Sequence, residues 1–191
     1  MTLIKVWQCG GLLSYAFIVK GAAVNQPLLA WSDQLEIGQD VMDETHREFV
    51  DQLNRVSEAA DAAMLAALDD FIAHTAAHFG QEERWMDEIA FPPRGCHRGE
   101  HEKVIETVRE VRRRVEAGDY NIGRTLAEAL AEWFPQHALS MDAVLAMYLN
   151  QIGYAPGGDN AAILASAASA AADAPTCAMG GEGCDHKDKK A

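Results

Sequence analysis

The residues of this 191-residue chain that are best suited to chemistry are its histidines. Six of the seven lie between residues 46 and 137, where the apolar residues recur at helical spacing. Five of these occupy the apolar faces of four successive segments: His46, His78, His97, His101 and His137. A buried imidazole without partners costs a few kcal/mol. A shared metal centre removes that cost for all five, because neutral imidazole nitrogens are metal ligands.

The spacing of these residues favours a metal site. His97 and His101 are four positions apart, a rotation of about 40° on a helix, so both rings leave the same face. His78 and Glu82 have the same spacing, and each pair can supply two ligands to one metal or to adjacent metals. Asp142 follows His137 by five positions, a rotation of about 140° in an α-helix. Helical geometry alone therefore does not select Asp142.

Four helical segments position these side chains. Their apolar faces carry, in chain order, Met42, His46, Phe49, Val50, Leu53 and Val56; Leu68, Phe71, Thr75, His78, Glu82, Trp85 and Ile89; His97, His101, Ile105, Val108, Val111 and Val115; and Leu126, Leu130, Trp133, His137, Met141, Leu145 and Leu149. Phe91–Gly95 and Gly118-Asp119 are clear breaks between helices, and a weaker break lies near residues 61–66. Short connections predict an all-α, antiparallel up-down four-helix bundle over residues 29–152.

The two ends of the chain differ from the bundle. Residues 1–28 form an N-terminal extension. Its apolar stretch, residues 11–19, is one that a secretion signal could contain. The basic start is short and Lys20 interrupts the apolar region. We therefore favour a flexible extension, or an upstream start codon that was chosen in error. Residues 153–191 are rich in Ala and Gly and have few large aliphatic side chains, so we expect a mostly disordered tail.

Charge and cysteine usage exclude several function classes. The formal charge of −13 argues against binding nucleic acid or anionic lipid. No apolar run reaches the 18 or so residues of a membrane-spanning helix. The four cysteines form no C-x-x-C pair and three lie in the end segments, which fits a reducing compartment and a cytoplasmic location.

Four motifs resemble the ligand signatures of the hemerythrin family, most closely its single-domain bacterial members. They are Trp31…Ile37-Gly38…Asp43-x-x-His46-x-x-Phe49, His78-Phe79-Gly80-Gln81-Glu82-Glu83-x-x-Met86, Phe91-Pro92 followed by His97-x-x-x-His101, and Trp133-x-x-x-His137-x-x-x-x-Asp142. All seven ligand types of that family's site occur in order. Pro135 departs from the commonest family pattern, two residues before His137.

The resemblance implies a non-haem centre of two iron ions joined by an oxo or hydroxo bridge. In the family arrangement His97, His101 and His137 bind one iron, His46 and His78 bind the other, and Glu82 and Asp142 bridge both. One iron then has six ligands and the other five, which leaves one position open. Nitrogen and carboxylate ligands suit iron or manganese.

The function that the resemblance implies is reversible dioxygen binding, for oxygen storage, delivery to an oxygen-consuming enzyme, or sensing through a signalling partner. Phe49 and Trp133 are candidates to line an apolar oxygen pocket. We expect no catalytic residues and at most minor redox activity. The alternatives are a di-iron redox enzyme that reduces peroxide or nitric oxide, and an iron or redox sensor. The bundle has no Glu-x-x-His pair, which disfavours ferritin-like oxidase chemistry.

Overall fold

The structure is a computed structural model that describes residues 26–172. A 3-10 turn at Asp33–Leu35 precedes the helices α1 (Asp40–Glu58), α2 (Asp61–Glu88), α3 (Arg94–Glu116), α4 (Tyr120–His137), α5 (Ala143–Ile152) and α6 (Ala161–Ala172). A π-helical segment, Ala138–Asp142, joins α4 to α5 without a break, so these three elements form one long fourth helix.

The long helices pack in a closed ring. Helix α1 contacts α2 and α4, and α3 contacts the same two helices from the other side. The connections between successive helices are short, so neighbours run antiparallel. The all-α four-helix bundle predicted from the sequence is confirmed.

Two of the predicted helix ends agree with the structure and one differs. Helix α2 ends before the Phe91-Pro92-Pro93 turn, and Gly118 ends α3 with a φ of +98°, which glycine adopts without strain. The first break lies at residues 59 and 60 rather than 61–66. Asp61 already belongs to α2, where a carboxylate in the first turn is favoured by the helix dipole.

The core consists of two apolar clusters. The larger includes Phe49, Phe79 and Phe134, and the smaller includes Met42 and Leu145. Helices α1 and α2 contribute to both clusters, α3 and α4 to the larger and α5 to the smaller. The histidines of the apolar faces lie along the helices between the two clusters. The polar centre is therefore enclosed by apolar packing at both ends.

The C-terminal segment is more ordered in its first part than the sequence analysis expects. Helix α6 follows a loop in which Tyr154 is buried and its hydroxyl donates to Glu88. Ile163 and Leu164 of α6 pack against the smaller apolar cluster. These few large side chains meet an apolar bundle end, and composition alone does not reveal that contact.

Residues 1–25 and 173–191 lie outside the described residues. The secretion-signal hypothesis and the cysteines at 9, 177 and 184 concern these residues. The division into three segments stays a prediction. Within residues 26–172, no helix combines the length and apolar character that crossing a membrane requires.

Candidate metal centre

The structure brings all seven predicted ligand residues into the bundle interior. His46 lies on α1, His78 and Glu82 on α2, His97 and His101 on α3, His137 at the end of α4, and Asp142 at the end of the π-helical segment. Each is at most 5% exposed. Burial of five imidazoles and two carboxylates at one level of a small bundle is costly unless these groups satisfy one another or a bound cation.

The π-helical segment explains the five-residue spacing between His137 and Asp142. Its backbone bonds reach five residues back, as in the bond from the N–H of Ala143 to the carbonyl of Ala138. In such a turn, residues five apart take the relative position that residues four apart have in an α-helix. His137 Nε2 therefore lies 3.2 Å from Asp142 Oδ1. The sequence signal for this segment is the histidine–aspartate spacing itself, which α-helical periodicity does not account for.

Glu82 faces two separate sets of histidines. Its Oε1 lies 2.9 Å from His78 Nε2 and 3.8 Å from His46 Nε2. Its Oε2 lies 3.4 Å from His97 Nε2 and 3.5 Å from His101 Nε2. The two oxygens of one carboxylate thus point to different pairs of imidazoles.

Asp142 divides its oxygens in the same way. Its Oδ2 lies 3.2 Å from His46 Nε2, whereas its Oδ1 lies 2.8 Å from His97 Nε2 and 3.2 Å from His137 Nε2. Donor atoms fall into two groups that share Glu82, one with His46 and His78 and the other with His97, His101, His137 and Asp142. Within each group the atoms lie within 4.8 Å of one another.

Several donor atoms of this centre lack hydrogen-bond partners among the described residues. They include Nε2 of His46 and His97, Oε2 of Glu82 and both carboxylate oxygens of Asp142. Buried polar atoms are rarely left unpaired in proteins, and a bound cation is one explanation for such a cluster. The set is made of imidazole nitrogens and carboxylate oxygens, a chemistry that suits iron or manganese.

The carboxylates strongly perturb the surrounding histidines. Burial lowers the pKa of His46 and of His97, but the nearby carboxylates of Asp142 and Glu82 outweigh it and raise both to about 9. Burial lowers the pKa of His101 to about 3, and the charges of His97 and His137 act in the same direction. The direction of each shift thus depends on whether burial or the nearby carboxylates dominate at that histidine.

The same histidines hold the pKa of both carboxyl groups below the usual range. For Asp142, burial raises the pKa, but the nearby imidazoles of His137, His46 and His97 outweigh it. For Glu82, burial and the charge of Asp142 raise the pKa, and the interactions with His78 and His46 outweigh both. Two ionised carboxylates are therefore available to neutralise a bound cation.

Aromatic rings fix the histidines on the α3–α4 side. The ring of Phe79 stacks on His101 at 3.8 Å between centroids, and Trp133 stacks on His137 at 4.4 Å. Trp133 is only partly buried. It thus covers the outer face of His137 and contacts the histidine directly, as a candidate lining residue of the site should.

A second aromatic wall covers the α1–α2 side. Phe49, the other predicted lining residue, lies 6.1 Å from His78 between ring centroids and stacks on Phe134 at 4.6 Å. Phe134 in turn meets His46 edge to face at 5.2 Å. Apolar periodicity in the sequence places Trp133, not Phe134, on the core face of the fourth segment. Phe134 is the fully buried residue of the two, and its spacing of four from Leu130 is the signal that identifies it.

Two further polar residues flank the centre. His74 is partly buried and lies outside both donor groups, with its Nδ1 3.6 Å from Glu48. Glu83 is 30% exposed, yet its Oε1 lies 3.5 Å from Nδ1 of His101. Glu83 does not lie on the apolar face that helical spacing assigns to this segment, so periodicity does not indicate this contact, which places a carboxylate behind a histidine of the centre.

A family model described as "Hemerythrin HHE cation binding domain" matches residues 37–149, which contain all seven residues of the centre. The chain belongs to the hemerythrin family. The match to this hemerythrin model runs from just before α1 into α5. It therefore spans the helices that carry both groups of donor atoms.

Curated relatives agree with this assignment. The chain is 45% identical over 127 residues to a bacteriohemerythrin of Ralstonia nicotianae, a match that covers 66% of this chain and 93% of the relative. It is 35% identical over 132 residues to a bacteriohemerythrin of Stenotrophomonas maltophilia, covering 65% and 86%. A bacteriohemerythrin of Pseudomonas aeruginosa is 30% identical over 119 residues, covering 60% and 77%.

Proposed function

We propose that the buried centre holds two iron ions. His97, His101 and His137 would hold one ion, and His46 and His78 would hold the other. The observation that supports this is the division of both carboxylates, because Glu82 and Asp142 each direct one oxygen to each histidine set. A carboxylate in that position would hold both ions and would offset part of their charge.

We infer that the function is reversible binding of dioxygen. When bound, a pair of ferrous ions supplies two electrons and an open coordination position for this ligand. The side with His46 and His78 offers one histidine fewer than the other side, so an ion held there would have one coordination position that this chain does not fill. Ligand binding rather than catalytic turnover is the proposed role.

The aromatic residues of this chain support the binding of an apolar molecule. Phe49 and Phe134 are both at most 1% exposed and stand beside His78 and His46. They keep water and anions away from the two-histidine side, and exclusion of water slows the loss of a reactive ligand. Trp133 gives the same cover to the three-histidine side.

We propose storage, delivery or sensing as the biological use of this binding. An oxygen-consuming enzyme is the expected recipient in delivery, and a signalling protein that contacts the bundle is the expected partner in sensing. The cytoplasmic location stays a prediction.

The test is an optical cycle on purified, iron-loaded protein. The protein is reduced without oxygen, exposed to air and then purged with inert gas, and iron is determined on the same sample. We expect two irons per chain and a visible band that appears in air and disappears on purging. Immediate irreversible oxidation would refute oxygen carriage and favour a redox enzyme or an iron or redox sensor.

A further inference from the structure

His101 is the histidine of the centre that the two inner carboxylates hold least closely. Its Nε2 lies 3.5 Å from Oε2 of Glu82, whereas the nearest carboxylate oxygen lies between 2.8 and 3.2 Å from Nε2 of each of the other four. Phe79 stacks on the ring at 3.8 Å, with 1° between the two planes. Stacking fixes the plane of the ring, but a half turn about its Cβ–Cγ bond would keep that plane and put a carbon atom in the place of Nε2. Another contact must therefore select the orientation of His101.

Glu83 supplies a contact on the outer edge of the same ring. Its Oε1 lies 3.5 Å from Nδ1 of His101, slightly beyond the length of a hydrogen bond. Its Oε2 lies 3.4 Å from Nε of Arg98, and this guanidinium also donates to Asp87 at 2.8 Å. One oxygen of Glu83 thus faces the centre while the other faces a cation at the surface. Within residues 26–172, His101 is the one histidine of the centre whose Nδ1 faces a carboxylate.

The contacts on the inner side place a proton of His101 on Nδ1. Nε2 of His101 and Nε2 of His137 form a hydrogen bond of 3.2 Å, so one of these nitrogens donates and the other accepts. Nε2 of His137 also lies 3.2 Å from Oδ1 of Asp142, and a carboxylate oxygen can only accept. The shared proton therefore belongs to His137, and Nε2 of His101 is the acceptor. The proton of a neutral His101 is then on Nδ1, and a doubly protonated ring would carry one there as well.

We propose that Glu83 is a positioning residue of the metal centre. Its carboxylate attracts Nδ1–H of His101 and so keeps the unprotonated Nε2 turned inward, in the tautomer that a metal requires. Loss of an acceptor behind a ligating histidine reduces metal affinity by about 10- to 100-fold. Among the described residues His46 and His78 have no such carboxylate, so Glu83 strengthens the three-histidine side selectively. The effect on affinity rests on the proposed function, whereas the orientation of His101 does not.

The first test determines the tautomer of His101 in the full-length, metal-free protein by ¹⁵N–¹H NMR. We expect a protonated Nδ1 and an unprotonated Nε2 in the parent and in Glu83→Gln, whose amide oxygen can still accept. Glu83→Leu should give a mixture of both tautomers. Glu106→Leu is the matched control, because Glu106 is exposed on α3 and forms no ion pair among the described residues, and it should leave the ring signals unchanged. Protonation of Nε2 alone in the parent, or unchanged signals in Glu83→Leu, would overturn the proposal.

The second test measures the affinity for ferrous iron without oxygen, in competition with a chromophoric chelator. We expect Glu83→Leu to raise the Kd of one of the two irons about tenfold, and Glu83→Gln to raise it less. Glu106→Leu should leave both values unchanged, and a thermal melt of each metal-free variant checks that it is folded. Unchanged affinities in Glu83→Leu, or an equal loss in Glu106→Leu, would overturn the proposal. Fewer than two irons in the parent would refute the proposed function alone, because the tautomer is measured without metal.

Discussion

The register of the fourth helix gives the sharpest prediction of this structure. The π-helical segment contains one residue more than an α-helical turn between His137 and Asp142. Deletion of Ser140, an exposed residue, reduces the spacing to four, which places both side chains on one face of a regular α-helix. We expect this deletion to keep both ligands in place and to retain two irons per chain.

Insertion of one alanine after Ser140 has the opposite result. It rotates Asp142 by about 100° and shifts it by about 1.5 Å along the axis. For a side chain roughly 5 Å from the axis, that rotation moves the carboxylate by about 8 Å. Contacts of 2.8 Å to His97 and 3.2 Å to His46 do not survive such a shift. We therefore expect the insertion to reduce iron binding to one ion or none.

The assay is iron determination after anaerobic reconstitution, with circular dichroism and a thermal melt on each variant. Ser140→Ala is the matched control, because it leaves the register unchanged and removes only the hydroxyl bond to Gln136. Because this hydroxyl is exposed and bonds the carbonyl four residues back, its loss should change neither the stability of the helix by much nor the iron content. A deletion variant whose metal-free form folds and melts like the metal-free parent, but which holds fewer than two irons after reconstitution, would refute the proposed helix register.

Three further predictions concern the centre itself. Replacement of His101 by Ala should remove one iron, whereas His74→Ala should keep both, as measured by iron content. In the metal-free protein His46 and His97 have a pKa raised to about 9. Their contribution to the free energy of unfolding is therefore complete below pH 6.5 and is lost as the pH rises through 9. The urea concentration at the midpoint of unfolding should therefore fall between pH 6.5 and pH 9. Removal of iron by a chelator should lower the Tm by at least 5 °C, because free iron at 100 times its Kd stabilises by about 2.7 kcal/mol.

Each of these has a contradicting result. Two irons in His101→Ala would remove this histidine from the ligand set, and loss of iron in His74→Ala would add a ligand that the structure places outside both groups. A urea midpoint that is constant or rises from pH 6.5 to 9 would contradict the ion pairs between the histidines and the carboxylates. An unchanged Tm after chelation would show that the bundle does not depend on its metal.

Much of this architecture follows from periodicity. Every residue placed on the apolar faces of the first two segments is buried, because regular α-helices keep a fixed relation between spacing and direction. Asp43, Phe79 and Met86 are buried in addition. The pairs His97–His101 and His78–Glu82 follow from the same rule.

The fourth segment shows where periodicity fails. The π-helical segment changes the direction of each later residue, so that Asp142 is buried and Met141 is only partly buried. Sequence reasoning reaches Asp142 only through the resemblance to a family motif. The contact of Glu83 with His101 and the packing of α6 on the bundle depend on side chains from distant parts of the chain, which no local pattern encodes.

The central claim is that two cations share the carboxylates of Glu82 and Asp142. The most direct measurement is a crystal structure of the iron-loaded protein with anomalous data collected at the iron absorption edge. The account predicts two anomalous peaks per chain, one beside His46 and His78 and one among His97, His101 and His137, with both carboxylates contacting both peaks. A single peak, or a second peak outside these residues, would contradict it.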